Sequence, residues 1–309
     1  SIDTEIPFNQ LGFSGWGGYI YALSSLKTIW ASSELNTYIN HALKSITTLI
    51  SEDVLFDIIA GNAGCILSLL TLAEHVEYKV QAIELASTCA DSLMEAAIQS
   101  EDGLYWPILN DEKPLLGFSH GNAGISLAFS KLGEITNNSL YSDAGMASIS
   151  YENTFYNSNE QNWPDLRGGD INSFMSTWCH GAAGITLSRC LGDQKITENM
   201  SKGLDACIYQ LSHQKKLNNH SLCHGMMGNL DILHTIATTT KQPALLNEFN
   251  KQLTEIAKDV TERGWLSAIP SHQLQPGLMD GLSGMGYSLL KFSAPQIVPN
   301  ILALSPPIK

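Results

Sequence analysis

Thr177-Trp178-Cys179-His180-Gly181-Ala182-Ala183-Gly184 is echoed by Ser221-Leu222-Cys223-His224-Gly225-Met226-Met227-Gly228. Each copy sets a Cys-His pair directly before a Gly-x-x-Gly step, and an apolar run follows. The same frame recurs without the cysteine at Phe13-Ser14-Gly15-Trp16-Gly17-Gly18, Ile59-Ala60-Gly61-Asn62-Ala63-Gly64, Ser119-His120-Gly121-Asn122-Ala123-Gly124 and Met279-Asp280-Gly281-Leu282-Ser283-Gly284. The first glycines stand at 15, 61, 121, 181, 225 and 281, separated by 46, 60, 60, 44 and 56 residues. Each interval has room for two helices and their connections, so the chain reads as an array of helical repeats.

The segments behind the glycine pairs are apolar on most sides: Tyr19 to Leu26, Cys65 to Leu72, Ile125 to Leu132, Ile185 to Leu191, Leu230 to Ile236 and Met285 to Leu290. That pattern belongs to helices packed between neighbours on both flanks. Glycine tolerates unusual dihedrals in the turn that opens each helix, and small residues let backbones approach. Between these runs lie amphipathic segments, Leu35 to Ile50, Val80 to Ile98, Leu140 to Tyr156, Met200 to Leu211 and Ala244 to Thr261. In the second, Ala82, Leu85, Ala86, Cys89, Leu93 and Ala96 share one helical face. Strand-like alternation is nearly absent. The prediction is an all-α chain of inner and outer helices. Such an array needs caps or closure to cover its end faces. Closure into an α/α toroid is favoured, because only then do the special residues of separate copies converge.

The chain has 309 residues, 44% hydrophobic and 15% charged, with a formal net charge of -13. No apolar run approaches the roughly 20 residues a bilayer span requires, so no transmembrane segment is expected. The acidic balance argues against nucleic acid as a partner, since binding it rests on Lys and Arg neutralising phosphates. Six cysteines at 65, 89, 179, 190, 207 and 223, with no Cys-x-x-Cys pair, are not a disulfide scaffold in a chain this long. Reduced thiols and a cytoplasmic location are expected. Loops follow polar, glycine and proline clusters at 101–103, 157–169 and 270–276. The longest of them leads towards the first Cys-His copy. No linker or composition break interrupts residues 1–309, which read as one domain.

The repeat frame locates a site. The residues before the first glycine of each copy are Ser14, Ala60, His120, His180, His224 and Asp280, and one position earlier stand Cys179 and Cys223 in their copies. Equivalent positions in a ring lie at equivalent heights, here at the N-termini of the inner helices. Two thiols and up to three imidazoles on one rim make a zinc site. Helix N-termini favour the thiolate, the form that binds metal. Iron-sulfur assembly would want four cysteines, and a hard cation would want clustered carboxylates. Fewer than four protein ligands would leave a coordination position open for catalysis. Cys65, Cys89, Cys190 and Cys207 fall in apolar helical segments and read as buried filler. His41, His75, His213, His220, His234 and His272 lack the frame. The glycines follow no strand, so they are not a phosphate loop.

At these residues the sequence resembles the lanthionine synthetase cyclase family, in detail the C-terminal cyclase domain of its class II, bifunctional members. Trp178-Cys179-His180-Gly181, Ser221-Leu222-Cys223-His224-Gly225 and Gly117-Phe118-Ser119-His120-Gly121 match its signature steps, and Asn162-Trp163-Pro164-Asp165-Leu166-Arg167, Pro276-Gly277-Leu278-Met279-Asp280-Gly281 and Leu302 to Pro307 match further stretches. The resemblance implies an α/α toroid with Zn2+ held by Cys179, Cys223 and His224. It implies His120 as acid/base with Asp57 near the metal, and leaves His180 and Arg167 as neighbours of the site. It implies a dehydrated precursor peptide as substrate, carrying dehydroalanine or dehydrobutyrine and free cysteines, and thioether rings as product.

The sequence departs from the family in places. Six glycine-bearing helices are found where seven are usual, and the missing one reads as the first. A start at Ser1 without Met, and no dehydratase part, lead to the expectation of an N-terminally truncated piece with an upstream dehydratase domain. Asn62-Ala63 and Asn122-Ala123 differ from the commonest family residues, with no chemical consequence evident in the sequence. Two other readings stay open. A peptide-binding scaffold with a structural zinc would need a fourth ligand from His180 or His120. A toroidal glycoside hydrolase would need two carboxylates across a cleft, for which Asp57 and Asp280 are the frame-positioned candidates.

Overall fold

In the computed structural model, residues 9–30, 32–108, 111–167, 173–192, 198–213, 217–269 and 275–307 are described. Inner helices begin one residue after the first glycine of every copy: α1 (Trp16–Ile29), α3 (Asn62–Leu72), α5 (Asn122–Thr136), α7 (Ala182–Gly192), α9 (Met226–Thr240) and α11 (Leu282–Ser293). Outer helices alternate with them: α2 (Ser33–Leu49), α4 (Lys79–Ala96), α6 (Ser139–Asn153), α8 (Glu198–His213) and α10 (Pro243–Arg263). Each inner helix packs on the next inner one and on the outer helix that follows it, apart from α11, which packs on α9. At the junction of the ring, the phenols of Tyr21 on α1 and Tyr287 on α11 interact. The architecture is an all-α toroid.

Burial follows the pattern of the sequence. Every residue of α3 is buried, whereas α4 buries one stripe with Ala82, Ala86, Cys89 and Leu93. Cys65, Cys89, Cys190 and Cys207 are buried free thiols, as filler should be. No helix among the described residues is long and apolar enough to cross a membrane.

The glycines serve mainly through space. The capping glycines at 15, 61, 121, 225 and 281 have extended backbone, with φ between -109° and -138°. A Cβ on Gly61, Gly121 or Gly281 would come within 2.5 Å of backbone atoms. A Cβ on Gly64, Gly124, Gly184, Gly228 or Gly284 would meet the carbonyl oxygen six residues earlier at 1.8 to 2.1 Å. Each opening turn is therefore folded hard onto the start of its own helix. Gly181, at φ 76°, is the first-glycine position where positive φ is also demanded.

The outer helices carry ordinary side-chain caps, Ser32 on α2 and Asn138 on α6. The inner ones lack a cap from their own N-cap residue, and neighbouring loops supply it instead. Asp53 accepts from Asn62 N–H at 2.6 Å, and Asn162 accepts from Ala182 N–H at 2.8 Å. The orphan N–H groups of each inner helix thus tie loops to the rim. Asn62 and Asn122 also have a consequence that the sequence did not reveal. Their side-chain amides donate to Ile50 O and to Leu104 O and Ser148 O, stitching inner helices to their surroundings.

Two hairpins were not foreseen. Strands β1 (Ile98–Ser100) and β2 (Gly103–Tyr105) pair around the expected 101–103 turn, and β3 (Pro107–Ile108) pairs with β4 (Asp111–Pro114). They are too short for alternation to register. In the loop expected at 157–169, Asn157 and Asn162 bridge, while 168–169 lie outside the described residues, as do 270–274.

The C-terminal turn Ile301–Ala303 is buried with Leu304 and binds several ring elements. Leu302 O accepts from Trp178 Nε1 at 2.9 Å, Leu304 O from Thr71 Oγ1 at 2.7 Å, and Ser305 O from Tyr21 OH at 3.0 Å. Between α9 and α11, Lys291 donates to buried Asp231 and to Thr235, and Ser288 donates to the same carboxylate. Removing one member would strand a buried charge. Asp231→Ala should cost about 3–5 kcal/mol in chemical denaturation, whereas the double replacement Asp231→Leu with Lys291→Met should stay near the parent stability.

Candidate metal centre

The rim geometry starts with Trp178. Its indole, hydrogen-bonded to Leu302 O, anchors the turn that presents Cys179 at the mouth of α7. Leu222 and Cys223 give their N–H groups to Met279 O, so the α9 turn is pinned to the α11 turn. The two copies meet with Cys179 Sγ 2.7 Å from Cys223 Sγ. The sulfurs and a ring nitrogen of His224 all lie within 4.8 Å of one another, a grouping able to hold a metal ion. His180 and His120 are not part of that grouping. A scaffold with a structural zinc would take its fourth ligand from one of them, so the donor set does not favour it.

The electrostatics suit a metal. The Cys223 thiol beside it holds Cys179 below the usual thiol range, against burial. The same contact pushes Cys223 up, and Cys223 in turn raises His224. Two sulfurs this close cannot both be bare thiolates without a counter-charge, which a divalent cation would supply. Two soft thiolates with one imidazole are the donor chemistry of zinc. The helix N-termini around them favour negative charge, by about 0.3–1 kcal/mol each when exposed.

His120 stands on the adjacent copy. Its Nδ1 is 2.7 Å from Asp57 Oδ2, and Asp57 Oδ1 accepts from Ala60 N–H at 2.7 Å. With Nδ1–H donating to the carboxylate, Nε2 is the free nitrogen of a half-exposed ring. Asp57 is thus engaged by two donors, one on each carboxylate oxygen.

The His120 turn touches the metal turn directly. Ser119 Oγ donates to Cys179 O at 3.4 Å, and Gly117, at φ 98°, lies against the Cys179–His180 backbone. A Cβ there would stand 2.4 Å from Cys179 O and 2.8 Å from His180 Cα. Gly117→Ala should therefore cost roughly 1–3 kcal/mol and push the His120 turn off the cysteine turn. Thermal melting reads the first effect and ring-forming activity the second.

His180 is buried. Its Nδ1 lies 3.3 Å from Leu116 O, and Nε2 has no hydrogen-bond partner among the described residues. Burial, with the charge of Arg167, pushes it down to about 4, so the ring is neutral. Arg167 grips Asp165 through Nε and Nη2 and lies within electrostatic reach of both cysteines.

The sequence reading passed over Glu152, which turns out to join these loops. Its buried carboxylate accepts from Gly117 N–H and from Arg189, and its backbone carbonyl accepts from Trp163 Nε1. It lies on an amphipathic helix and has no motif around it, so nothing in the sequence pointed to it.

A family model described as Lanthionine synthetase C-like protein matches residues 7–303. The "Lacticin 481/lactococcin biosynthesis protein LcnDR2" of Lactococcus lactis subsp. lactis is 26% identical over 296 residues, covering 89% of this chain and 29% of that protein. The chain thus spans less than a third of that relative's length. Among solved structures, nisin cyclase superposes with a TM-score of 0.57 at 18% identity, over 96% of this chain and 92% of that one. Cellobiose 2-epimerase from Bacillus thermoamylovorans reaches 0.54 at 10% identity, over 82% and 77%. Both show the fold. With the match running from residue 7 to residue 303, a span that takes in the whole rim site, the chain belongs to the lanthionine synthetase C-like family.

Proposed function

We propose that this chain is a zinc-dependent cyclase acting on dehydrated precursor peptides, as the cyclase part of a longer synthetase with a dehydratase domain upstream. The observation that carries the reading is the meeting of Cys179, Cys223 and His224 on the same rim as the His120–Asp57 pair. The three donors would hold Zn2+ and leave a position for a peptide cysteine. Zinc, when bound, stabilises a thiolate at neutral pH, against a free thiol pKa of about 8.5.

The remaining steps fall to this chain's own groups. His120 Nε2 takes the thiol proton or returns it, with Asp57 holding the ring in one tautomer. Sulfur bonds to the β-carbon of the dehydroamino acid, the carbon-carbon π bond breaks, and the proton ends on the α-carbon. Atoms balance without a co-reactant, and the ring is an isomer of the open peptide. The thiols require a reducing compartment, which fits the cytoplasm.

The test is incubation of the zinc-loaded protein with a peptide bearing one dehydroalanine and one cysteine. Ring formation leaves the mass unchanged but removes the thiol from alkylation by N-ethylmaleimide. A peptide that stays fully alkylatable, at the rate seen without protein, overturns the reading.

A further inference from the structure

Beside the His120–Asp57 pair opens a cavity of about 310 Å³ whose walls are Leu55, Ile59, Trp106, Pro107, Leu115 and Ile125. The pair forms part of its lining, so whatever fills it lies against the group that moves the proton. Trp106, between the two hairpins, is locked by its Nε1–H donating to Leu93 O at 2.8 Å. The hairpins thus supply a rigid aromatic wall that the bare helical array lacks.

The turn that presents Leu55 to the cavity is built under strain. Phe56 sits at φ 61°, an uncommon and costly conformation for an aromatic residue. Asp53 Oδ1 accepts from Leu55 N–H and Phe56 N–H while its other oxygen holds Asn62 N–H. That clamp fixes Val54 and Leu55 in the open, 50% and 37% exposed. Leu55 also lines a second hollow of about 260 Å³, so it stands between the two spaces. Exposed apolar side chains held rigidly beside an apolar cavity mark a binding surface rather than a core.

We propose that the cavity is a subsite for one apolar side chain of the substrate peptide, on the residue next to the dehydroamino acid that is attacked, with Leu55 as its specificity-determining wall. The proposal rests on the cyclase reading above. The volume admits a side chain as large as phenylalanine, and Asp57, the carboxylate among the lining residues, is already engaged by His120 Nδ1 and Ala60 N–H. An extended peptide placing its β-carbon near His120 would drop its neighbouring side chain against Trp106 and Leu55.

Three peptides test this, each with one cysteine and one dehydroalanine: phenylalanine before the dehydroalanine, phenylalanine after it, or serine on both sides. One phenylalanine peptide should exceed the serine peptide in kcat/KM by roughly ten- to a hundredfold. Leu55→Asp and the cavity-filling Ile59→Trp should each compress that ratio to within about threefold. Circular dichroism confirms that each variant is folded, and Leu55, already partly exposed, is the more tolerant site. Calorimetric titration with unreactive versions, alanine replacing dehydroalanine, should show the same preference and its loss. Equal rates and equal binding for all three peptides, or a preference that survives both variants, overturn the subsite. Should no peptide cyclise, the cyclase reading fails instead, and the binding preference still decides whether the cavity takes an apolar side chain.

Discussion

Cys223→Ala should emerge without stoichiometric zinc and close no measurable rings. The variant keeps Cys179 and His224, but a thiol and an imidazole alone are too few to retain zinc against competing water and buffer. Lewis-acid stabilisation is worth several kcal/mol, so its loss lowers the rate about a thousandfold or more. Cys179→Ala should behave alike, since its sulfur is 2.7 Å from that of Cys223 in the same group. Cys207→Ala is the matched control. It removes a more deeply buried thiol from an outer helix and should leave both zinc and activity intact. Metal analysis of the purified variants, with alkylation of the product peptide, reads both effects. A full zinc complement in either site variant, or a chelator-stripped protein that cyclises at the parent rate, refutes the assignment.

The meeting of the two Cys-His copies could be read from the sequence because it is a repeat property. Cys179 and Cys223 stand 44 residues apart, yet one frame places both at the mouth of an inner helix. His120 holds the same frame position, but Asp57, four residues before Gly61, was reached through the family resemblance and not through the frame. Helix positions were legible too, because an inner helix buried on every side and an outer one buried along a stripe leave different patterns. What failed to show is what does not repeat. The hairpins at 98–114 are strands of two to four residues, too short for a period of two to emerge. Glu152 acts through tertiary contacts to Gly117 and Arg189, and a lone glutamate on an amphipathic helix looks like a solvated one. Of the two roles expected of the glycines, dihedral freedom and close backbone approach, the second prevails. Most of them serve because a Cβ would strike the backbone of their own turn. Sequence shows that an atom is missing, but only packing shows which atom it would have hit.

Asp57→Asn and His120→Ala should both retain zinc and both lose ring formation, for different reasons. Neither side chain contributes to the grouped donors, so metal content should stay at the parent level. His120→Ala deletes the group that moves the proton and should lower kcat by roughly a hundred- to ten-thousandfold, with little change in KM. Asp57→Asn keeps shape and volume, and its amide oxygen can still accept from Ala60 N–H. Its amide nitrogen, however, donates where the carboxylate accepted from His120 Nδ1. That favours the tautomer with the proton on Nε2, which can no longer take a proton from the incoming thiol. The asparagine variant should therefore fall about as far as His120→Ala, even though it is the gentler substitution. Because one residue acts through the other, the two losses should not add: the double variant should be no slower than His120→Ala alone. Losses that multiply in the double variant would mean that Asp57 contacts the substrate itself, and its place behind the imidazole would have to be given up.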